Sequence, residues 1–272
     1  MRNYTICFLA LSALTACGDA DNATGPEATT TPAPPVTQPD PASTYAPELK
    51  PLAAGDDLFP WVDNVNVRDA ATTDGKRVAR IPEGEALKFT GKQSATKDAV
   101  LLRGMVYEEP WYEVTTKDGA TGWVFGGTVK RKDEKKGNPV PSDTKIFYPY
   151  FGTYDLGDWE QMPNIARSGG DATTVVQTYE QDGKEMSIER TDVGEYGYTH
   201  TYTLRDPDGK VMLTRELRYD ATDDHLLSET VVNRIQSPAV QYRRSQHLPK
   251  SVYELGGQPL MVNGEWKEKT VE

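Results

Sequence analysis

WYEVTTKDGATGWVFGGTV, residues 111–129, is the stretch that decides the fold. Trp111, Tyr112 and Val114 lead into Lys117-Asp118-Gly119, and Trp123, Val124 and Phe125 follow. An Asp-Gly pair between two short aromatic and β-branched runs predicts a hairpin, because Gly supplies the positive φ that a tight turn needs. Strand alternation puts Val114 and Val124 on the face opposite Trp123 and Phe125. A barrel built on so short a hairpin fills its interior with the aliphatic set. Trp111, Trp123, Phe125 and nearby Tyr107 are then the candidates for an outward, ligand-stacking surface. The competing reading, in which Trp123 covers an open end of the barrel, stays open. Gly122, Gly126 and Gly127 are read as serving backbone conformation. They make no phosphate loop, since no Lys-Ser/Thr pair opening a helix follows them.

Working outward, Val65-Asn66-Val67-Arg68 alternates as a strand does and runs into a polar stretch ending at Asp74-Gly75. Val78, Ile81 and Ala86-Leu87-Lys88-Phe89 are further short apolar segments, punctuated by Pro82 and Gly84. Short strands with frequent turn signals predict a small β-barrel or sandwich over residues 56–131. Asn66-Val67-Arg68, Ile81-Pro82-Glu83-Gly84-Glu85, Trp111-Tyr112-Glu113-Val114, Asp118-Gly119 and Gly122-Trp123-Val124 together resemble the bacterial Src-homology-3 (SH3) domain, over roughly residues 60–130. The resemblance implies a non-catalytic SH3-like barrel that binds cell-wall peptides or glycans, or packs against neighbouring domains. The departure from the family pattern is a long excursion over residues 90–110, expected to form an additional hairpin over one end of the barrel.

Residues 132–145 read as a charged, Gly- and Pro-containing linker. Residues 146–272 read as a second, antiparallel β-rich domain of unknown function. It opens on an aromatic cluster, Ile146 to Tyr154, and Trp159-Glu160-Gln161-Met162 is expected in one short helix. Strands are expected over residues 173–180, 185–190, 196–205, 211–219 and 226–235, with turns at Asp182-Gly183 and Asp206-Pro207-Asp208-Gly209. Tyr198, His200, Tyr202 and Leu204 should share one face, and so should Val211, Leu213, Leu217 and Tyr219. Such two-period strands with tight turns describe a meander with one polar face. The fold class is mainly β throughout.

The leader reads differently. Met1-Arg2-Asn3 carries one cation, residues 6–14 are an apolar run, and small residues follow, as in a secretory signal peptide over residues 1–16. The run falls short of the ~20 apolar residues that span a bilayer. Leu14-Thr15-Ala16-Cys17 resembles the lipobox of bacterial lipoproteins, which implies cleavage before Cys17, diacylglyceryl transfer to its thiol and acylation of the new amine. Several acyl chains anchor stably where one does not. The expected location is the cell envelope, lipid-anchored, with outer-membrane sorting implied by Gly18 after the Cys. Residues 17–55 are rich in Pro and Thr and lack hydrophobic periodicity, so they read as a disordered tether.

Composition narrows the function. The chain has 272 residues with 41 acidic against 30 basic, a net charge of -11, which argues against nucleic acid or anionic lipid as a non-specific partner. Its two cysteines, Cys7 and Cys17, permit no disulfide framework and no cysteine metal site. His200, His225 and His247 fit no metal or nucleophile motif. Asp220, Asp223, Asp224 and His225 are the one cation candidate, with a spacing that fits no EF-hand loop. No cofactor and no enzymatic activity are expected. The leading expectation is a membrane-anchored binding module for peptidoglycan or an envelope protein. Two alternatives stand beside it: a hydrolase or lipid-handling C-terminal domain targeted by the barrel, and a structural or inhibitory protein-interaction role.

Overall fold

The structure, a computed structural model, describes residues 51–137, 142 and 144–271. The signal peptide, Cys17 and the tether as far as residue 50 lie outside the described residues, as do residues 138–141 and 143 of the linker. Among the described residues no helix is long and apolar enough to cross a membrane.

The first sheet is a curled half-barrel of β1 (Asp57–Pro60), β2 (Val65–Arg68), β3 (Arg77–Ile81), β4 (Leu87–Leu102), β5 (Met105–Thr115), β6 (Thr121–Phe125) and β7 (Val129–Lys130). Their order is β3-β2-β6-β5-β4-β1-β7. The opening hairpin forms as its sequence predicts, with Trp111 opposite Phe125, Glu113 opposite Trp123 and Thr115 opposite Thr121. Its two faces carry different cores. Val114 and Val124 join Leu58, Val65, Val67 and Leu87 inside the barrel. Trp111 and Phe125 face the other way and pack with Trp61 and Tyr107 in a separate aromatic cluster. The glycines beside them serve close approach, not left-handed backbone. A Cβ on Gly126 would lie 2.6 Å from the Pro110 carbonyl oxygen, and one on Gly122 would lie 2.5 Å from that of Arg68.

The excursion over residues 90–110 is a hairpin. It is the outer part of β4 and β5, paired from Lys97–Pro110 to Leu102–Met105 after two register irregularities. Its tip turns through Arg103 and Gly104, both at positive φ, and reaches the second sheet. Leu101, Leu102, Met105 and Val106 make that tip too apolar to leave in water. Ala99 and Val106 are buried with Tyr198, Leu217, Leu227 and Val252. The Gly104 carbonyl accepts hydrogen bonds from the Leu260 and Met261 amides at 2.7 and 3.0 Å, and the Asn263 side-chain amide donates to the Val106 carbonyl at 3.2 Å.

The C-terminal half begins with a two-stranded hairpin, β8 (Lys145–Tyr148) and β9 (Gly152–Asp155), formed by the aromatic cluster. Then come β10 (Glu160–Gln161), β11 (Ile165–Gly169), β12 (Ala172–Gln181), β13 (Lys184–Asp192), β14 (Gly197–Arg205), β15 (Val211–Asp220), β16 (Leu226–Asn233), β17 (Ala239–His247) and β18 (Lys267–Val271). From β12 to β18 each strand pairs antiparallel with the next, the meander expected from the alternation; β10 and β11 both pair with β12. Residues 159–162 are not the short helix expected. A single 3-10 turn at Leu156–Asp158 precedes a short strand there, and Pro163 disfavours helical backbone at Met162 before it.

One face of this sheet is covered by the β8–β9 hairpin, the tip of the long hairpin and the segment after β17. Tyr198, His200, Tyr202 and Leu204 all point into it, as alternation predicts. So do three charged residues that alternation alone would place there without explaining them. Arg215 and Glu229 are fully buried and Arg244 nearly so. Glu229 accepts from Arg215 Nε and Arg244 Nε, each at 2.7 Å. The Arg215 guanidinium lies 3.4 Å from the centroid of the Tyr148 ring, and that of Arg244 lies 4.2 Å from the Trp266 ring. Arg215 also donates to the Leu260 carbonyl at 2.6 Å. The cluster thus pins residues 260–262, the same segment that holds the long hairpin.

Candidate binding site

The structure brings the four aromatic candidates together, but mostly as core. Trp111 is 3% exposed, Phe125 4% and Tyr107 6%. The Trp111 indole N–H donates to Asp98 at 2.8 Å, and its ring meets Phe125 edge-on at 5.7 Å. Tyr107 packs on Trp61 at 5.6 Å, and burial pushes its hydroxyl pKa up to about 12. The reason is the long hairpin: by continuing β4 and β5 past the barrel it supplies a lid for the hairpin's aromatic face. Three of the four rings are therefore closed to a ligand.

Trp123 differs. It keeps partial exposure at the centre of a row that crosses the outer face of the half-barrel. Glu113 of β5 lies opposite it on one side and Arg68 of β2 on the other. Beyond Arg68 stands Arg77 of β3, which is exposed. Beyond Glu113, Thr90 donates to its carboxylate at 2.7 Å and Lys92 pairs with it at 3.1 Å. The Thr90 hydroxyl, with help from Lys92, holds the Glu113 carboxyl below the usual carboxylate range, so it is charged at neutral pH. Arg68 is fixed by a hydrogen bond to the Gly75 carbonyl at 2.5 Å. An indole face between a fixed carboxylate and a fixed guanidinium can stack on a planar or apolar group while bonding both donors and acceptors around it. Sequence reading named Trp123 but missed its neighbours. The signal was available in the hairpin register, which puts Glu113 and Trp123 side by side.

The histidine and aspartate candidates are placed as follows. His225 stacks on Tyr219 and shares a 2.8 Å hydrogen bond with its hydroxyl. Asp220 bonds Thr222 and Arg218. Among the described residues there is no group of three or more His, Cys, Asp or Glu that could hold a metal ion.

Residues 63–130 match the bacterial SH3 domain family, which accounts for the half-barrel and for the NVR, WYEV and GWV motifs. Over 83 residues the chain is 31% identical to an uncharacterized protein of Treponema pallidum (strain Nichols), a match that covers 30% of this chain and 18% of that protein. The chain thus spans less than a fifth of that relative's length. No solved structure matches the chain. The C-terminal half is unrecognised, and the SH3 domain is the kind of module that binds.

Proposed function

We propose that this protein is a lipid-anchored envelope protein whose SH3 domain binds peptidoglycan, or an envelope protein, without catalysing a reaction. The observation that carries the reading is the partly exposed Trp123 set between Glu113 and Arg68 on a bacterial SH3 barrel. The lipobox-like Leu14-Thr15-Ala16-Cys17 and the Pro-rich stretch after it support an anchor and a spacer.

Cosedimentation of the full chain with purified sacculi tests the ligand, with Trp123→Ala and Arg68→Gln as variants. Pelleting by the wild type that drops in both folded variants supports the wall as ligand. Failure of the folded wild type to pellet sinks the wall-binding version and moves the search to protein partners. Metabolic labelling with a fatty acid, lost in Cys17→Ser, tests the anchor separately.

A further inference from the structure

We propose that the C-terminal sheet carries a separate saccharide-binding cleft, formed where the β13–β14 connection meets the loop after β17. The cleft encloses about 380 Å³, at the small end of the roughly 300–1,000 Å³ range of ligand pockets. Asp192, Tyr198, Val252, Tyr253, Gly256 and Gln258 are among its walls. This site is independent of the barrel and of what the barrel binds.

Three features select the ligand class. The first is an aromatic rim. Tyr253 lines the cleft and is 65% exposed, whereas Tyr179, Tyr198, Tyr202, Tyr219 and Tyr242 of the same half are buried. A ring left open at the mouth of a cleft is a stacking platform for the C–H face of a sugar. The second is a pre-set polar pair. Asp192 accepts from the Gly194 amide at 2.7 Å and from the Gln258 side-chain amide at 3.0 Å. Two of the carboxylate's roughly four acceptor sites stay available, which is what vicinal hydroxyls require. The third is charge. No Lys or Arg lines the cleft, so an anion would meet Asp192 without a counter-charge. A bare metal ion would find one carboxylate where it needs several oxygen ligands. A neutral, hydroxylated ring satisfies the aromatic face, the acceptors and the amide together.

The loop that forms the far wall is held in place. The buried Tyr198 hydroxyl donates to the Pro259 carbonyl at 2.8 Å, and Gly256 turns at positive φ with nothing within 4 Å of where a Cβ would sit. The platform is therefore fixed to the sheet while its mouth stays open.

The test is titration calorimetry of the full chain, in a detergent without a sugar headgroup, against the N-acetylglucosamine tetramer and maltotetraose. Saturable binding of either sugar is expected, at least tenfold weaker in Tyr253→Ala and in Asp192→Asn. Both cleft residues are exposed at the surface, so both variants should fold. Absence of saturable binding to both tetrasaccharides overturns the proposal, and so does binding that survives the two cleft changes. Binding lost only in Trp123→Ala also overturns it, by moving the sugar to the barrel. Because the probes are soluble oligosaccharides, the result does not depend on whether the chain pellets with sacculi.

Discussion

The carbonyl oxygen of Gly104, at the tip of the long hairpin that grows out of the SH3 barrel, lies 2.7 Å from the amide nitrogen of Leu260 in the C-terminal half. The same oxygen accepts from Met261, and a Cβ at Gly104 would stand 3.0 Å from that of Leu260. Gly104 also has φ of +78°. Close packing and backbone conformation therefore both demand glycine here. Gly104→Ala should cost about 1–3 kcal/mol, the range for a strained non-glycine backbone. Urea unfolding measures the loss, and hydrogen exchange at Leu260 and Met261 should quicken with it. Unchanged exchange at those two amides would show that the hairpin tip is not what orders the segment.

Glu229 stands between two buried guanidinia and is the sole carboxylate bonded to both among the described residues. Breaking a buried ion cluster by removing its shared partner leaves uncompensated charge and costs about 3–5 kcal/mol, whereas exchanging the whole cluster for apolar groups is often neutral or better. Glu229→Gln should therefore destabilise strongly. The triple change Arg215→Met, Glu229→Leu, Arg244→Met should recover most of the loss. If the triple variant is no more stable than the single one, the two arginines contribute through their ring contacts and the Leu260 carbonyl, not through charge pairing.

Much of this molecule is legible in its sequence, for local reasons. The Asp-Gly turns and the alternation at residues 198–204 dictate hairpins and the buried face without help from distant residues. The long excursion was legible as a hairpin but not as a bracket, because its destination, the segment 260–263, is more than 150 residues away. For the same reason the aromatic hairpin reads as a binding surface in sequence and packs as core in the fold. Nothing in WYEV or GWVF says that Tyr107, Trp61 and the extension of β4 will cover Trp111. Arg215 and Glu229 were not read from the sequence as inward residues, although both are fully buried. Only the pairing of Glu229 with Arg244 across β16 and β17 shows why charge is tolerated there.

Trp111 and Trp123 flank one turn, yet Trp111 is buried and Trp123 only partly so. Trp111→Ala should cost about 3–5 kcal/mol, as removal of a buried Trp does. Trp123→Ala should cost about 1 kcal/mol, near the centre of point-mutant effects, while weakening cosedimentation with sacculi. Thermal melts of the two variants separate the roles. Equal melting losses would mean that Trp123 is core as well and that the proposed row on the barrel face is no platform.

His200 sets an acid limit on the C-terminal sheet. Burial, and then the guanidinia of Arg190 and Arg215, lower its pKa from the ordinary 6.5 to about 4; Asp192 and the Gln258 bond oppose this only in part. Below pH 6.5 the unfolded chain takes up a proton that the native imidazole refuses until about pH 4. The stability that follows is present in full above pH 6.5 and is lost as pH falls toward 4, by on the order of 3 kcal/mol in total. Replacing the imidazole in His200→Gln removes that proton from the balance. The stability of the variant should therefore fall less steeply through this window, by up to about 1.4 kcal/mol per pH unit. Urea unfolding of both proteins at several pH values between 4 and 7 gives the two slopes. Parallel slopes would mean that His200 protonates in the folded sheet as readily as in water, and that carboxylates alone set the acid limit.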